Sequence, residues 1–272
     1  MKILFLGDIW GRDARDDIIK MLPAFRKKHS IDAVIASVDN AAHGFGVTPQ
    51  ICNDFYAAGV DCLTGGDHIW NQREIIPHIE RDPKLLRAVN YPEGTPGKGT
   101  YVIQTAKNEK ILVIHLMARL YMDPLDDPFA AVDKILKSQS LGKGVNAIFI
   151  DIHGEATSEK MAMGQFCDGR ASFVVGTHTH IPTADTQVLP NGTGYQTDAG
   201  MCGSYDSVIG AEKTIAVARF TRKIKLEKLR PAEGPVTICG VIAEIDPKTG
   251  LCTAAHPVRI GGRLSQTEPE AT

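Results

Sequence analysis

Short apolar runs recur through the first two-thirds of the chain, each four to seven residues long and each closed by glycine or a polar residue. Residues 2–7, 32–38, 61–64, 110–115, 146–150 and 172–176 are rich in Ile, Val, Leu and Phe, and that length and composition predict buried strands. Between the first two, Ile18, Ile19, Leu22 and Phe25 fall at helical spacing, with Pro23 weighing against an unbroken helix. Thr48 followed by Pro49 predicts a capped helix start, and 131–136 and 155–166 also read as helical. Strands alternating with helices predict a layered α/β architecture with largely parallel pairing. The last third differs. Residues 236–245 and 251–260 alternate around Asp246-Pro247-Lys248-Thr249-Gly250, the pattern of an antiparallel pair joined by a turn. Without an internal repeat or an interdomain linker, the reading is a single domain over 1–260, followed by a flexible tail over 261–272.

Composition narrows the function classes. Of 272 residues, 43% are apolar and 23% charged, with a formal net charge of −2, so disorder is excluded as the main character. Near-neutrality gives no general pull toward nucleic acid or a membrane surface. The apolar stretch after Met1-Lys2 stops at Gly7-Asp8, short of a signal peptide, and no run reaches transmembrane length. The six cysteines form no C-x-x-C pair and read as reduced packing residues of a cytoplasmic protein. Basic residues gather at Arg219, Arg222, Lys223, Lys225, Lys228 and Arg230. Beside the apolar Ile224, Leu226 and Leu229, they read as a solvated face in preference to an RNA-binding one, because no aromatic residues interleave. No DNA-binding motif is present.

The chemistry gathers where the strands end. Asp8 follows the first run, Asp39-Asn40 the second, and Asp67-His68 the third after Gly65-Gly66. His153 follows the fifth run, and His178 and His180 the sixth. In an open parallel sheet, strand C-termini share one edge, so these residues are expected to converge there. An isolated Asp after a strand is commonly a turn or cap residue. The combination of three carboxylates and three imidazoles instead suits a pair of divalent cations. His115 reads as a core or supporting residue, Arg119 as a phosphate contact or a solvated side chain, and Asp151 as pointing to the opposite side of its strand end.

With these residues in place, the chain resembles the calcineurin-like metallophosphoesterases, and within them the bacterial YmdB-type group. The matching stretches are K-I-L-F-L-G-D at 2–8, D-N-A-A-H-G-F-G-V-T-P at 39–49, G-G-D-H-I-W at 65–70 and N-Y-P-E-G-T-P-G at 90–97. H-G-E-A-T-S-E-K at 153–160, G-T-H-T-H at 176–180 and G-M-C-G-S-Y-D-S-V-I-G at 200–210 complete them. The resemblance implies a four-layer α/β/β/α sandwich and a phosphodiesterase with two divalent metal ions, acting on small nucleotide phosphodiesters, notably 2′,3′-cyclic nucleotides. Carried over by position, it implies that Asp8, Asp39 and His180 hold one metal, with Asn40 nearby on the metal or a phosphate oxygen. Asp39 would bridge to a second metal held by Asp67, His153 and His178. His68 would stand outside as the general acid for attack by a metal-bridged hydroxide. Iron is the metal the resemblance favours, and manganese or zinc suits the same ligands. A binding regulator without turnover and a broad phosphomonoesterase remain as alternatives, and homo-oligomerisation is left open.

Two positions depart from the group's usual pattern, which has Glu at 39 and Asn at 67 where this chain has Asp in both. The shorter Asp39 requires the backbone to come closer to the cations. The added charge at Asp67 is expected to tighten metal binding and weaken attraction of a phosphate anion. His43 stands where the group usually has Gly, and reads either as a substrate contact or as a plain loop residue.

Overall fold

The computed structural model describes residues 1–222 and 227–270. The chain runs β1 (Lys2–Leu6), β2 (Asp8–Ile9), α1 (Gly11–Lys28), β3 (Ala33–Ser37), α2 (Pro49–Ala58), β4 (Cys62–Thr64) and α3 (Ile75–Ile79). It continues through β5 (Leu85–Leu86), β6 (Thr100–Gln104), β7 (Lys110–Met117), α4 (Pro128–Ser138), β8 (Ala147–His153), α5 (Thr157–Cys167) and β9 (Phe173–Thr177). The remainder is β10 (Gln187–Val188), β11 (Gly194–Gln196), β12 (Met201–Ser204), α6 (Lys213–Arg222), β13 (Val236–Ile245) and β14 (Cys252–Ile260).

These strands form two sheets. One has the order β2-β12-β13-β1-β3-β4-β5, with β14 added along β13; the other has the order β10-β11-β9-β8-β7-β6. Strands β1, β3, β4 and β5 pair parallel, as do β7, β8, β9 and β11. The hairpin expected from the last third is the antiparallel β13–β14 pair. Alternation along β1 and β3 explains the layering. Leu4, Leu6, Val34 and Ala36 face α1 and α2, while Ile3, Phe5, Ala33 and Ile35 face the second sheet. Both faces are dry, so each strand reads as a continuous apolar run. Phe5, Phe149 and Phe173 stack between the sheets with centroids 5.6 and 5.4 Å apart. On the far side, Val132 and Leu136 of α4 and Met163 and Cys167 of α5 cover Ile114, Ile148 and Ile150. The four layers are therefore helix, sheet, sheet and helix.

Three expectations change. First, α1 runs unbroken through Pro23. Proline in a helix interior costs about 3 kcal/mol or more. Pro23 lies on the exposed face, whereas Ile18, Leu22 and Phe25 are buried, at roughly 1.5–3 kcal/mol each, so packing wins. Second, the strand ends that carry chemistry lie on two sheets, not along one edge. Third, the stretch after Ile260, expected as a flexible tail, folds back at Gly261 and Gly262, both with positive φ. Thr267 exchanges backbone hydrogen bonds with Arg259 at 2.7 and 2.9 Å, and Glu268 meets Lys28 at 2.9 Å and His29 at 3.1 Å.

Residues 223–226 of the basic stretch lie outside the described residues; within the remainder, the Arg219 guanidinium donates to the Glu227 carbonyl. All six cysteines are buried and unpaired. Among the described residues, no helix is long and apolar enough to cross a membrane.

Candidate metal centre

Each sheet delivers its own set of side chains to the cleft between the C-terminal strand ends. Asp8 opens β2, Asp39 and Asn40 follow β3, and Asp67 and His68 follow β4. From the second sheet, His153 is the last residue of β8, and His178 and His180 lie just beyond β9. Asp8, Asp39, Asn40, His153 and His180 are buried, whereas Asp67, His68 and His178 are half-buried at the rim. One potential ligand atom from each of Asp67, His153 and His178 falls within 4.8 Å of the others, and the same holds for Asp39, Asp67 and His68. The second grouping includes His68, which the sequence reading kept outside the ligands.

The distances join the two sets. His153 Nε2 lies 3.0 Å from Asp67 Oδ1 and 3.6 Å from Asp39 Oδ2. His178 Nδ1 lies 3.1 Å from His153 Nε2 and 3.5 Å from Asp67 Oδ1. Deeper, His180 Nε2 lies 3.9 Å from Asp8 Oδ2. Asp8 accepts the Ser37 hydroxyl at 2.6 Å and the His178 amide at 2.8 Å, and Asp39 accepts the His68 amide at 2.9 Å. The structure thus brings together eight of the nine candidates. The other, His43, is exposed on the loop after β3 at a φ of 55°.

Hydrogen bonds from behind assign the imidazole tautomers. Thr177 donates its hydroxyl to Asp151 Oδ1 at 2.9 Å. Having one proton to give, it accepts from His153 Nδ1 at 3.0 Å, so His153 Nε2 carries the lone pair. His180 Nδ1 lies 2.7 Å from the Ile209 carbonyl, an acceptor only, so its Nε2 is also free. Such support is the usual way a protein orients a metal-binding imidazole. Burial pushes the His153 pKa down, and although Asp67 and Asp8 pull the other way, the net shift is downward. A neutral imidazole therefore aims a lone pair at a carboxylate 3.0 Å away, an arrangement that a cation between them would relieve.

The carboxylates carry the same demand. Burial, the Asp67 charge and the Asp8 charge together raise Asp39 well above the usual carboxylate range. Burial also pushes on Asp8, but His153, His180 and the bonds from Ser37 and His178 hold it below that range. Asp67 is likewise held low against burial, by the His153 and His178 imidazoles beside it. Asn40 donates to the Gly44 carbonyl, while its buried Oδ1 has no hydrogen-bond partner. A Cβ on Gly66 would lie 2.5 Å from Asp39 Cγ and 2.6 Å from His153 Nε2. The Gly66 backbone thus approaches the Asp39 side chain closely. Carboxylate, amide and imidazole donors in a cradle kept open by glycine fit divalent iron, manganese or zinc.

Several contributors escape the sequence reading. Asp151 is not on the opposite side of the strand end. β8 extends to His153, so positions 151 and 153 share a face, and Asp151 supports His153 through Thr177. His115, fully buried, lies 3.1 Å from Asp151. Glu155 approaches His178 Nε2 at 3.4 Å. Trp10 packs edge-on to His180 at 4.9 Å and Phe45 to His68 at 5.1 Å, lining the cleft with aromatic rings. Thr177 could have been found inside G-T-H-T-H and Glu155 inside H-G-E-A-T-S-E-K; Ser37 leaves no comparable signal.

The chain is similar to known proteins along nearly its whole length. The profile of YmdB-like proteins matches residues 4–258. A Bacillus subtilis protein described as a 2′,3′-cyclic-nucleotide 2′-phosphodiesterase is 44% identical over 92% of this chain and 93% of its own. A solved structure of a hypothetical protein from Thermus thermophilus aligns with a TM-score of 0.89 at 37% identity, covering 97% of this chain and 100% of the other. A Mycoplasma pneumoniae structure described as a novel phosphatase aligns at 0.88 and 29% identity, covering 99% and 95%.

Proposed function

Because the chain belongs to the YmdB-like family, we propose that it is a metal-dependent phosphodiesterase whose centre takes two divalent cations and whose substrates are small phosphodiesters, 2′,3′-cyclic nucleotides foremost. The observation that carries this reading is the facing of His153 Nε2 and Asp67 Oδ1 at 3.0 Å, a junction of two electron-pair donors between the sheets. Asp8, Asp39 and His180 would hold the inner cation, and Asp39, Asp67, His153 and His178 the outer one. Asn40, with its unpartnered Oδ1, would add to the inner set. Cations there would supply neutralisation of nonbridging phosphate oxygens and a more acidic attacking water; iron, manganese and zinc all suit the donors.

The chain's own groups supply the rest. His68, half-buried at the rim against Phe45, would be the group that protonates the departing ribose oxygen. The Asp39 carboxylate, held by the His68 amide, ties the position of that imidazole to the cations. His43, exposed on the neighbouring loop, contacts the substrate beyond the phosphate. Metal analysis coupled to parallel assays tests the reading. Two equivalents of metal are expected, with hydrolysis of a 2′,3′-cyclic nucleotide ahead of a 3′,5′-cyclic nucleotide and a simple monoester. Bound metal without turnover of any ester would identify a nucleotide-binding regulator instead, and preference for the monoester would reassign the enzyme as a phosphomonoesterase.

A further inference from the structure

Lys160 on α5 is fully buried, far from the solvated role that a helical lysine ordinarily has. Its ammonium donates to the Thr177 carbonyl at 3.2 Å and to Asp198 Oδ2 at 2.9 Å. Asp198, equally buried, accepts three more hydrogen bonds: from the Thr179 amide at 3.0 Å, the Thr179 hydroxyl at 2.6 Å and the Gly200 amide at 2.8 Å. The ion pair therefore grips the backbone on both sides of His178. Gly176 makes room for it, since a Cβ there would lie 2.6 Å from Lys160 Cδ.

Stability alone does not account for such a pair. Desolvation offsets much of the attraction between buried charges, and well-packed apolar replacements are often neutral or better. The gripped residue is the informative one. His178 has a φ of 97°, a region that side chains rarely adopt and that persists only when the surroundings over-determine it. In that conformation its amide reaches Asp8 and its Nδ1 faces His153 and Asp67. His180 also has a positive φ, at 67°, but it has its own anchors. Its Nδ1 meets the Ile209 carbonyl, and its carbonyl accepts from the Tyr205 hydroxyl at 2.8 Å and the Met201 amide at 3.1 Å.

We infer that Lys160 and Asp198 are positioning residues for the outer cation: the buried pair clamps the peptides flanking His178 so that its Nδ1 is presented beside His153 and Asp67. The inference rests on the two-cation reading above and extends it, because it makes the two cation positions separable. Loosening the clamp weakens the outer position, which loses an aimed imidazole, more than the inner one, which loses only the support of the His178 amide on Asp8 and keeps the separately anchored His180.

Cobalt(II) titration of the metal-free protein, followed by visible absorption and equilibrium dialysis, tests this. Wild type is expected to take two cobalt ions. In Lys160→Met/Asp198→Asn, which removes both charges together, one of them should weaken by about 10–100-fold, the range typical of losing support behind a metal ligand, and lose its absorption band. The other should weaken clearly less, because only the His178 amide's bond to Asp8 connects it to the clamped segment. Thr179→Val should weaken the same ion, and Thr179→Ser should restore it. If the double variant does not fold, as read by circular dichroism, the Thr179 pair decides alone. Unchanged binding of both ions, or equal weakening of both, overturns the clamp. A wild type that takes fewer than two ions overturns the two-cation reading itself, and the clamp with it.

Discussion

The two sheets contribute unlike halves to one centre. The first sheet supplies Asp8, Asp39 and Asp67, crowded enough that Asp39 is pushed well above the carboxylate range by burial, Asp67 and Asp8 in turn. The second supplies His153, His178 and His180, each with a contact behind it: Thr177, Glu155 and the Ile209 carbonyl. One half is electrostatically frustrated without a cation; the other is already oriented to receive one. Attraction and geometry are thus assigned to different layers. A carboxylate draws a cation by its charge at short range, while an imidazole's lone pair must be aimed.

His68 is the residue that strains this division, being an imidazole on the carboxylate side. As the proton donor, it should be dispensable for metal and not for turnover. His68→Ala is expected to lower kcat by about 10²–10⁴-fold with full metal content by elemental analysis. Loss of metal in that variant would instead make His68 a ligand with Asp39 and Asp67, whose donor atoms already approach it, and the division between the halves would fail. On the imidazole side, Thr177→Val keeps the shape and removes the acceptor for His153 Nδ1. It frees the ring to take the other tautomer, so metal affinity should fall by about 10–100-fold, with recovery in Thr177→Ser. Equilibrium dialysis gives the answer, and an undiminished affinity would mean that the tautomer needs no such support.

What could be read in the sequence follows the same division. Asp8, Asp39, Asp67 and the three histidines were visible because each stands just past a buried apolar run, where a polar residue is conspicuous. The six runs all became strands, yet periodicity identifies a strand without saying which sheet it joins, so two facing sheets were not visible in the pattern itself. The supporting groups were harder. Ending the fifth run at Ile150 lost the alternation that places Asp151 and His153 on one face. Nothing in the residues beside Lys160 sets it apart from a solvated helical lysine. Its burial depends on a missing Cβ at Gly176 and on Asp198, 38 residues away, long-range facts that no local window contains.

The smallest effect is a proton count, and it separates the halves most directly. Asp39, with its raised pKa, keeps a proton in the metal-free protein to higher pH than an ordinary carboxyl, whereas His153 is pushed toward its neutral form mainly by burial. A cation displaces the proton from Asp39, so metal affinity should rise with pH through that raised pKa. The sign for folding is opposite. A carboxyl whose folded pKa exceeds its unfolded value stabilises the metal-free protein below the unfolded value near 3.8, and that contribution is lost as pH rises through the folded one. Thermal melts of the metal-free protein should show this loss, and added metal should reverse it. Asp67→Asn removes the second largest cause of the Asp39 shift, after burial. The variant should release less than the wild-type fraction of a proton per metal bound in mildly acidic buffer, measured by calorimetry in buffers of different ionisation enthalpy. It should also hold metal less tightly and give a lower KM for an anionic ester, since one negative charge facing the phosphate is gone. Equal proton release from the two proteins would place the proton somewhere other than Asp39, and the frustration ascribed to the first sheet would then have to be sought among the imidazoles.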